Sequence, residues 1–149
     1  MTLEIKEANN SDLSKIAELK IGLAKYEKKF DKMRKIENKT SDIKWFKNIM
    51  KKYKGKIFVA FYGKEIVGYC TGWAEKRPYL VAKNGYICDL FVCKEYRKKK
   101  IATKLVKHLL NWFKYKNVKS IYLNVYSSND AIKIWRNWGF KEIEIVMRK

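Results

Sequence analysis

Four consecutive basic residues, Arg97, Lys98, Lys99 and Lys100, point most directly to chemistry in this sequence. They precede a stretch in which apolar residues recur at the spacings of an amphipathic helix: Ile101, Ala102, Leu105, Val106, Leu109, Leu110 and Phe113. The first N–H groups of a helix lack internal partners, and the helix dipole adds roughly half a positive charge there. This basic turn therefore predicts a binding site for a phosphate or pyrophosphate.

The charges of the basic turn have two interpretations. Cations at the N-terminus of a helix oppose the helix dipole, so they are unfavourable unless something compensates them. A bound polyanion would do so, whereas a solvated turn would rely on screening by salt. This segment alone leaves both interpretations open.

Composition limits the classes of protein to which the chain can belong. Its 149 residues, 47% of them hydrophobic, fit one folded domain over residues 1–149. The net charge of +20 predicts attraction to polyanions, although the basic residues are spread along the chain and mark no single nucleic-acid groove. Three cysteines without paired spacing, Cys70, Cys88 and Cys93, argue against disulfides and a metal site. No signal peptide or membrane-spanning run is found, which predicts a cytoplasmic protein.

Apolar periodicity and turn residues predict the elements that position the basic turn. Strands are predicted over residues 3–8, 57–62, 66–75, 86–93, 120–126 and 141–149, the second and third forming a hairpin. Helices are predicted over residues 13–25, after Thr40 or Ser41, after the basic turn, and over residues 130–138, where Gly139 ends the helix. The order β, α, α, β, β, β, α, β, α, β indicates an α/β protein with a mixed sheet.

Two motifs in this order of elements resemble the GCN5-related N-acetyltransferase (GNAT) superfamily. In that family a hydrophobic strand end is followed by a glycine-rich turn that opens a helix; here Leu90-Phe91-Val92 precedes the basic turn and Ile101-Ala102. A second family motif is matched by Asn129, Ala131-Ile132, Trp135 and Gly139-Phe140. The resemblance implies a single-domain GNAT fold, with a mixed central sheet of six or seven strands flanked by about four helices.

By this resemblance the protein is an enzyme that transfers the acetyl group of acetyl-CoA to a primary amine of a small molecule, protein or peptide, by direct attack in a ternary complex. The pyrophosphate is expected on the N–H groups of the basic turn, with backbone bonds from the preceding strand to the pantetheine arm and acetyl carbonyl. Asn129 also fits a plain helix cap, and one residue can fill both roles. No metal is expected. The expected acetyl-CoA contacts are Leu90, Phe91, Val92, Arg97, Lys98, Lys99, Lys100, Ile101, Ala102, Thr103, Asn129 and Trp135.

The sequence departs from the family pattern at four positions. Lys100 replaces the central glycine of the turn, and Lys98 stands where a second glycine is common, although lysine keeps the N–H donor and adds charge. Trp135 replaces the usual tyrosine that protonates the leaving thiolate, and indole cannot act as that acid. Asn124 stands where N-terminal acetyltransferases of the ribosomal-protein type often carry a glutamate base, and asparagine cannot take a proton.

Acetyl transfer needs a neutral amine, a route for its proton and stabilisation of the oxyanion, which N–H groups of the fourth strand can supply. Asp89 is the first candidate base, because a carboxylate within an apolar strand is costly unless it is used or paired with a lysine. Glu75, near the end of the third strand, is the second candidate, against a solvated strand end. Tyr126 and Tyr122 are the nearest phenols for the acid, and solvent-assisted proton exit stays open.

The acceptor, by the same resemblance, lies between residues 25–39 and 141–149. Both segments are strongly basic, whereas a site for polycations should present carboxylates. A peptide amine near acidic residues, a small neutral or anionic amine, or a substrate held on RNA is favoured instead.

Two other functions stay open at the level of sequence. One is a basic nucleic-acid-binding module that stacks bases on Tyr26, Phe30, Trp45 and Tyr53, although these residues also fit packing on helix faces. The other is a catalytically inactive fold that keeps CoA as a structural ligand. Contact with RNA and a homodimer are both compatible with the sequence.

Overall fold

One mixed sheet forms the centre of the computed structural model, which describes residues 1–149. Its strands are β1 (Leu3–Glu7), β2 (Lys56–Tyr62), β3 (Glu65–Glu75), β4 (Asn84–Val92) and β5 (Ser120–Leu123). They lie in the order β1-β2-β3-β4-β5, the first four antiparallel and β5 parallel to β4. The predicted hairpin is confirmed, with Gly63 at φ +64° in the turn between β2 and β3.

Four α-helices cover the two faces of the sheet. They are α1 (Leu13–Glu27), α2 (Lys39–Lys51), α3 (Ile101–Tyr115) and α4 (Ala131–Asn137). The core on the side of α1 and α2 contains Ile16, Phe46 and Tyr69, and the core on the side of α3 and α4 contains Leu109 and Trp135. The α/β class with a mixed sheet is thereby confirmed. No helix of the chain is long and apolar enough to cross a membrane.

The predicted strand count is wrong, because the sheet has five strands and not six or seven. Residues 141–149 are exposed and belong to no strand, although Ile143 and Ile145 alternate with charged residues as in a strand. Strands need a hydrogen-bonded neighbour, and the edge strand β5 already ends at Leu123, before the predicted residue 126. The tail is held instead by Arg148, whose guanidinium donates two bonds of 2.9 Å to the Asp31 carboxylate.

The start of α2 differs from the prediction in its capping residue. Asn38, and not Thr40 or Ser41, caps the helix, because its Oδ1 accepts a hydrogen bond of 2.8 Å from the Ser41 N–H. An extended backbone at Asn38 lets its side chain fold back onto the first turn. Later in the chain, Gly139 follows the C-terminal end of α4 with φ +94°, as predicted.

Two irregularities of β4 shape the centre of the molecule. The pairing of β4 with β5 ends at Ile87 and Leu123, so the second half of β4 has no neighbour on that side. The register against β3 shifts between Thr71 and Gly72, which leaves Cys88 without a partner. Such a bulge reverses the alternation of side chains, and Asp89 consequently lies on the side of α1 and not on the side of Ile87.

Candidate active site

The basic turn has a backbone that normally requires glycine. Lys98 has φ +62° and Lys100 has φ +61°, both in the left-handed region. These are the two positions at which the resemblance places glycine in the family. An L-residue in this region costs about 1 kcal/mol or more, so each lysine is retained against a local backbone preference.

The same turn leaves a row of backbone donors without partners. None of the six N–H groups from Lys98 to Thr103 donates a hydrogen bond to the chain, whereas the Lys104 N–H bonds to the Lys100 carbonyl at 3.1 Å. Alternating left-handed residues next to a helix N-terminus form a concave set of donors that suits anions. The side chains of Lys98, Lys99 and Lys100 are exposed around it. The geometry fits a phosphate group.

The open side of β4 continues this row of donors. The Asp89 N–H donates to Thr71 at 3.2 Å and the Cys93 N–H to the Val67 carbonyl at 2.8 Å, so both point toward β3. Successive N–H groups of a strand point to opposite sides, and those of Leu90 and Val92 therefore face the gap left by β5. Arg97 lies beside this gap, since its Nε donates to the Val92 carbonyl at 3.0 Å.

Two further residues of the expected cofactor set lie in or beside α4. Asn129 is buried, and its Oδ1 accepts a hydrogen bond of 3.0 Å from the Ala131 N–H, as a helix cap does. Trp135 is also buried, with edge-to-face contacts to Trp138 and Phe140 at 5.1 and 5.3 Å. Both residues have clear structural roles, and their contact with a cofactor stays a prediction. Phe91 packs against the core on the side of α1.

Asp89 is paired with a lysine of α1. Its Oδ2 lies 2.9 Å from Lys20 Nζ and accepts a second bond of 3.2 Å from the Tyr69 hydroxyl. Oδ1 has only the Cys88 thiol, at 3.9 Å. Burial lowers the pKa of Lys20, but the Asp89 carboxylate outweighs it, so the pKa lies above its ordinary value. Oδ2 of Asp89 is therefore engaged by two strong donors, while Oδ1 has only the weak thiol donor.

Both carboxylate oxygens of Glu75, the second candidate base, accept bonds from N–H or O–H donors. Trp73 Nε1 donates to its Oε2 at 3.1 Å, and Arg77 Nε and the Tyr122 hydroxyl donate to its Oε1. Burial raises the pKa of Glu75, but these donors outweigh it, and the pKa lies below its ordinary value. The bond to Glu75 also occupies Tyr122. This geometry makes both residues poorer candidates than Asp89 and Tyr126.

Tyr126 lies against the segment that joins α1 to α2. Its ring stacks on Phe30 at 6.2 Å, and it neighbours Asp31. Burial, together with the charges of Glu27 and Asp31, raises the pKa of Tyr126 above its ordinary value. The phenol therefore keeps its proton at neutral pH, as a general acid must. Asn124 accepts a bond of 3.0 Å from the Tyr86 hydroxyl.

A cavity of about 600 Å³ lies between α1, α2 and β4 and contains Asp89 in its wall. We call it the acceptor cavity, because it is the candidate site for the amine. Its lining includes residues of the segment 25–39 but none of the segment 141–149, which was also expected beside the acceptor. It presents four carboxylates against three cations, so side chains, and not net segment charge, decide what faces the cavity. The lining residues are Lys20, Ala24, Glu27, Arg34, Glu37, Ser41, Asp42, Lys44, Trp45, Asn48, Tyr86, Cys88 and Asp89.

Two charged residues of the acceptor cavity were missed by reading the sequence, although each leaves a signal there. Lys20 follows the buried Ile16 and Ala17 at helical spacing, and Asp42 precedes the buried Phe46 and Ile49 in the same way. A charged residue on the apolar face of a helix is costly unless it has a partner or a ligand.

Comparison with known proteins agrees with this geometry. The sequence model of the acetyltransferase (GNAT) family matches residues 23–140. The chain belongs to this family. The predicted resemblance is thus confirmed, and it accounts for the left-handed lysines, which occupy glycine positions of the GNAT turn.

Individual relatives are more distant. An N-alpha-acetyltransferase of Saccharolobus solfataricus is 32% identical over 111 residues, which cover 68% of this chain and 66% of that protein. This chain therefore spans just under two thirds of the relative's length. Among solved structures, a mutant of the BH1408 protein of Bacillus halodurans matches with a TM-score of 0.86 at 23% identity and 98% coverage of both chains. A putative acetyl transferase from Pyrococcus furiosus matches with a TM-score of 0.80 at 22% identity and 99% coverage of both. These two likenesses concern the fold.

Proposed function

We propose that this GNAT protein transfers the acetyl group of acetyl-CoA to a primary amine. The observation that carries the proposal is the set of six unpaired N–H groups from Lys98 to Thr103, which continues into the open edge of β4. A pyrophosphate suits the first part of this set, and the amide groups of a pantetheine arm suit the second. The N-alpha-acetyltransferase among the relatives favours the α-amine of a protein or peptide as the first acceptor to test.

The chain supplies groups for each step of the transfer. Attack of the amine nitrogen on the thioester carbonyl forms the C–N bond, and the C–S bond breaks as the thiolate leaves. The Leu90 N–H faces the gap in which the carbonyl oxygen would carry negative charge. Asp89 Oδ1 accepts the proton of the amine, directly or through water, and Tyr126 donates a proton to the thiolate. The first of these two assignments is supported by the position of Asp89 in the wall of the acceptor cavity, with Oδ1 held only by the Cys88 thiol.

Thiol release tests the proposal directly. The protein is incubated with acetyl-CoA and a panel of peptides and small amines, and thermal stabilisation by CoA and by RNA is measured in parallel. We expect stabilisation by CoA and thiol release that depends on the amine. A stabilising effect of RNA without any effect of CoA would contradict the proposal and favour the nucleic-acid-binding module. Stabilisation by CoA without turnover on any amine would favour the inactive fold.

The role of Asp89 is tested by Asp89→Asn, which keeps the shape of the side chain. We expect kcat to fall at least 100-fold, with unchanged affinity for CoA in the folded protein. Glu4→Gln removes one carboxylate from the exposed surface of β1 and serves as the control. An unchanged kcat of Asp89→Asn would remove Asp89 as the base.

A further inference from the structure

Asp42 is a carboxylate of the cavity wall that forms no hydrogen bond or ion pair. It lies in the first turn of α2 and is 3% exposed. Burial raises the pKa of Asp42 above its ordinary value, although Lys20 acts against this. Capping does not explain the residue, since Asn38 already caps α2. A carboxylate in this position is costly to keep ionised unless a ligand supplies a counter-charge.

The other carboxylates of the acceptor cavity are paired. Asp89 has Lys20 at 2.9 Å, Glu27 has Arg34 at 3.7 Å, and Glu37 has Lys35 at 3.1 Å. The remaining cation of the lining is Lys44, which is exposed and forms no ion pair. Asp42 is therefore the one carboxylate of the cavity that forms no ion pair within the chain.

We infer that Asp42 binds a second positive charge on the acceptor, so that the preferred acceptor is a primary amine that also carries an ammonium or guanidinium group. This inference rests on the proposed acetyl transfer. Trp45 and Tyr86 also line the cavity and offer apolar surface to a spacer between the two charges. A short diamine and a peptide with a basic residue next to its N-terminus share this chemistry.

The net charge of +20 does not oppose this selectivity within the cavity. Exposed charges are screened beyond about 8–10 Å at physiological ionic strength, whereas a carboxylate in a buried wall acts on its ligand at contact distance. The basic surface lowers the rate at which dications approach, and Asp42 lowers the rate at which a bound dication leaves.

Binding of paired small amines tests the inference without requiring turnover. Calorimetry compares 1,4-diaminobutane with n-butylamine on the CoA-saturated protein. We expect the Kd of the diamine to be about tenfold lower than that of the monoamine, because the diamine can form one additional charge-assisted hydrogen bond. Asp42→Asn should remove this preference and leave the affinity for CoA unchanged. Glu4→Gln, which changes the net charge equally at an exposed site, should keep the preference.

Turnover then distinguishes the two sources of the second charge. Thiol release is measured with the same two amines, and with two peptides that carry lysine or norleucine after an N-terminal alanine. The pair with the larger ratio of kcat/KM identifies a diamine or a basic peptide as the acceptor. Equal binding of the diamine and the monoamine, or an unchanged ratio in Asp42→Asn, would overturn the inference. Selective binding without thiol release would support the Asp42 site and contradict the proposed acetyl transfer.

Discussion

The two halves of the candidate active site are built in different ways. The cofactor half consists of backbone N–H groups within one continuous stretch, from Leu90 to Thr103. The acceptor half consists of side chains from α1, α2 and β4, and its central ion pair joins residues 69 positions apart. Backbone donors recognise any phosphate, whereas a set of side chains can be altered one at a time.

The largest expected effect of a single change lies in the acceptor half. Lys20→Met leaves the Asp89 carboxylate buried without its ion-pair partner, so the free energy of unfolding should fall by about 3 kcal/mol. Urea denaturation measures this loss. Calorimetry on the folded protein should show little change in the affinity for CoA, because Lys20 lies outside the cofactor half.

An exposed ion pair provides the matched control for this change. Lys6 pairs with Glu4 at 3.5 Å with more than half of each side chain exposed, so Lys6→Met should cost about 0.5 kcal/mol or less. Equal losses in the two variants would show that the Lys20 pair contributes no more than a surface pair.

The next largest effect lies in the cofactor half. Lys98→Gly combined with Lys100→Gly should raise the free energy of unfolding by about 1 kcal/mol, because relief of strain at two positive φ angles exceeds the greater loss of chain entropy that glycine brings. Lys99→Gly removes the same charge next to α3 at a position that does not have a positive φ. A gain in Lys99→Gly as large as the gain per site in the double variant would mean that relief of charge, and not of backbone strain, is the cause.

Salt should affect the cofactor half more in this protein than in the double glycine variant. The exposed lysines of the basic turn add side-chain charge around the N–H groups, and this contribution is screened by salt. We expect the affinity for CoA to fall several-fold between about 0.05 and 0.5 M NaCl, and to fall less when Lys98 and Lys100 are glycine. Identical salt dependence in the two proteins would assign the affinity to the backbone alone.

The smallest expected effect is a gain in stability from Asp42→Asn. The folded-state pKa of Asp42 lies above its unfolded value, so the ionised carboxylate lowers stability at neutral pH. The urea midpoint of the variant should exceed that of the native protein at pH 7. The difference should narrow as the pH falls toward about 3.9, the ordinary pKa of an aspartate. A lower midpoint at pH 7 would contradict the assignment of Asp42 as a binding group without a partner.

The backbone of the basic turn and the helix after it were predicted from the sequence, because their signals are local. The apolar spacing after Lys100 predicts α3, and the family motif places glycine at the two positions that the structure shows to be left-handed. The acceptor half was predicted only through Asp89. Lys20 and Asp42 stand on the apolar faces of their helices, but their spacing does not tell which strand they face.

The prediction of a last strand over residues 141–149 was wrong for a related reason. The alternation of Ile143, Ile145 and Met147 describes a pattern of side chains, while a strand exists only where a neighbour supplies hydrogen bonds. No sequence pattern near residues 141–149 indicates that β5 ends at Leu123. Arg148 and Asp31, 117 positions apart, hold the tail by a contact that no local pattern predicts.

By itself, the sequence determined the family, the α/β class and the basic turn, because each depends on residues close together in the chain. The tertiary structure alone decided the acceptor side. The bulge at Cys88 turns Asp89 away from the face that strict alternation assigns to it, and packing of α1 and α2 then brings Lys20 and Asp42 to the same cavity. The net charge of residues 25–39 and 141–149 predicted a basic acceptor site, whereas the packing of the helices determines which charged side chains line the acceptor cavity.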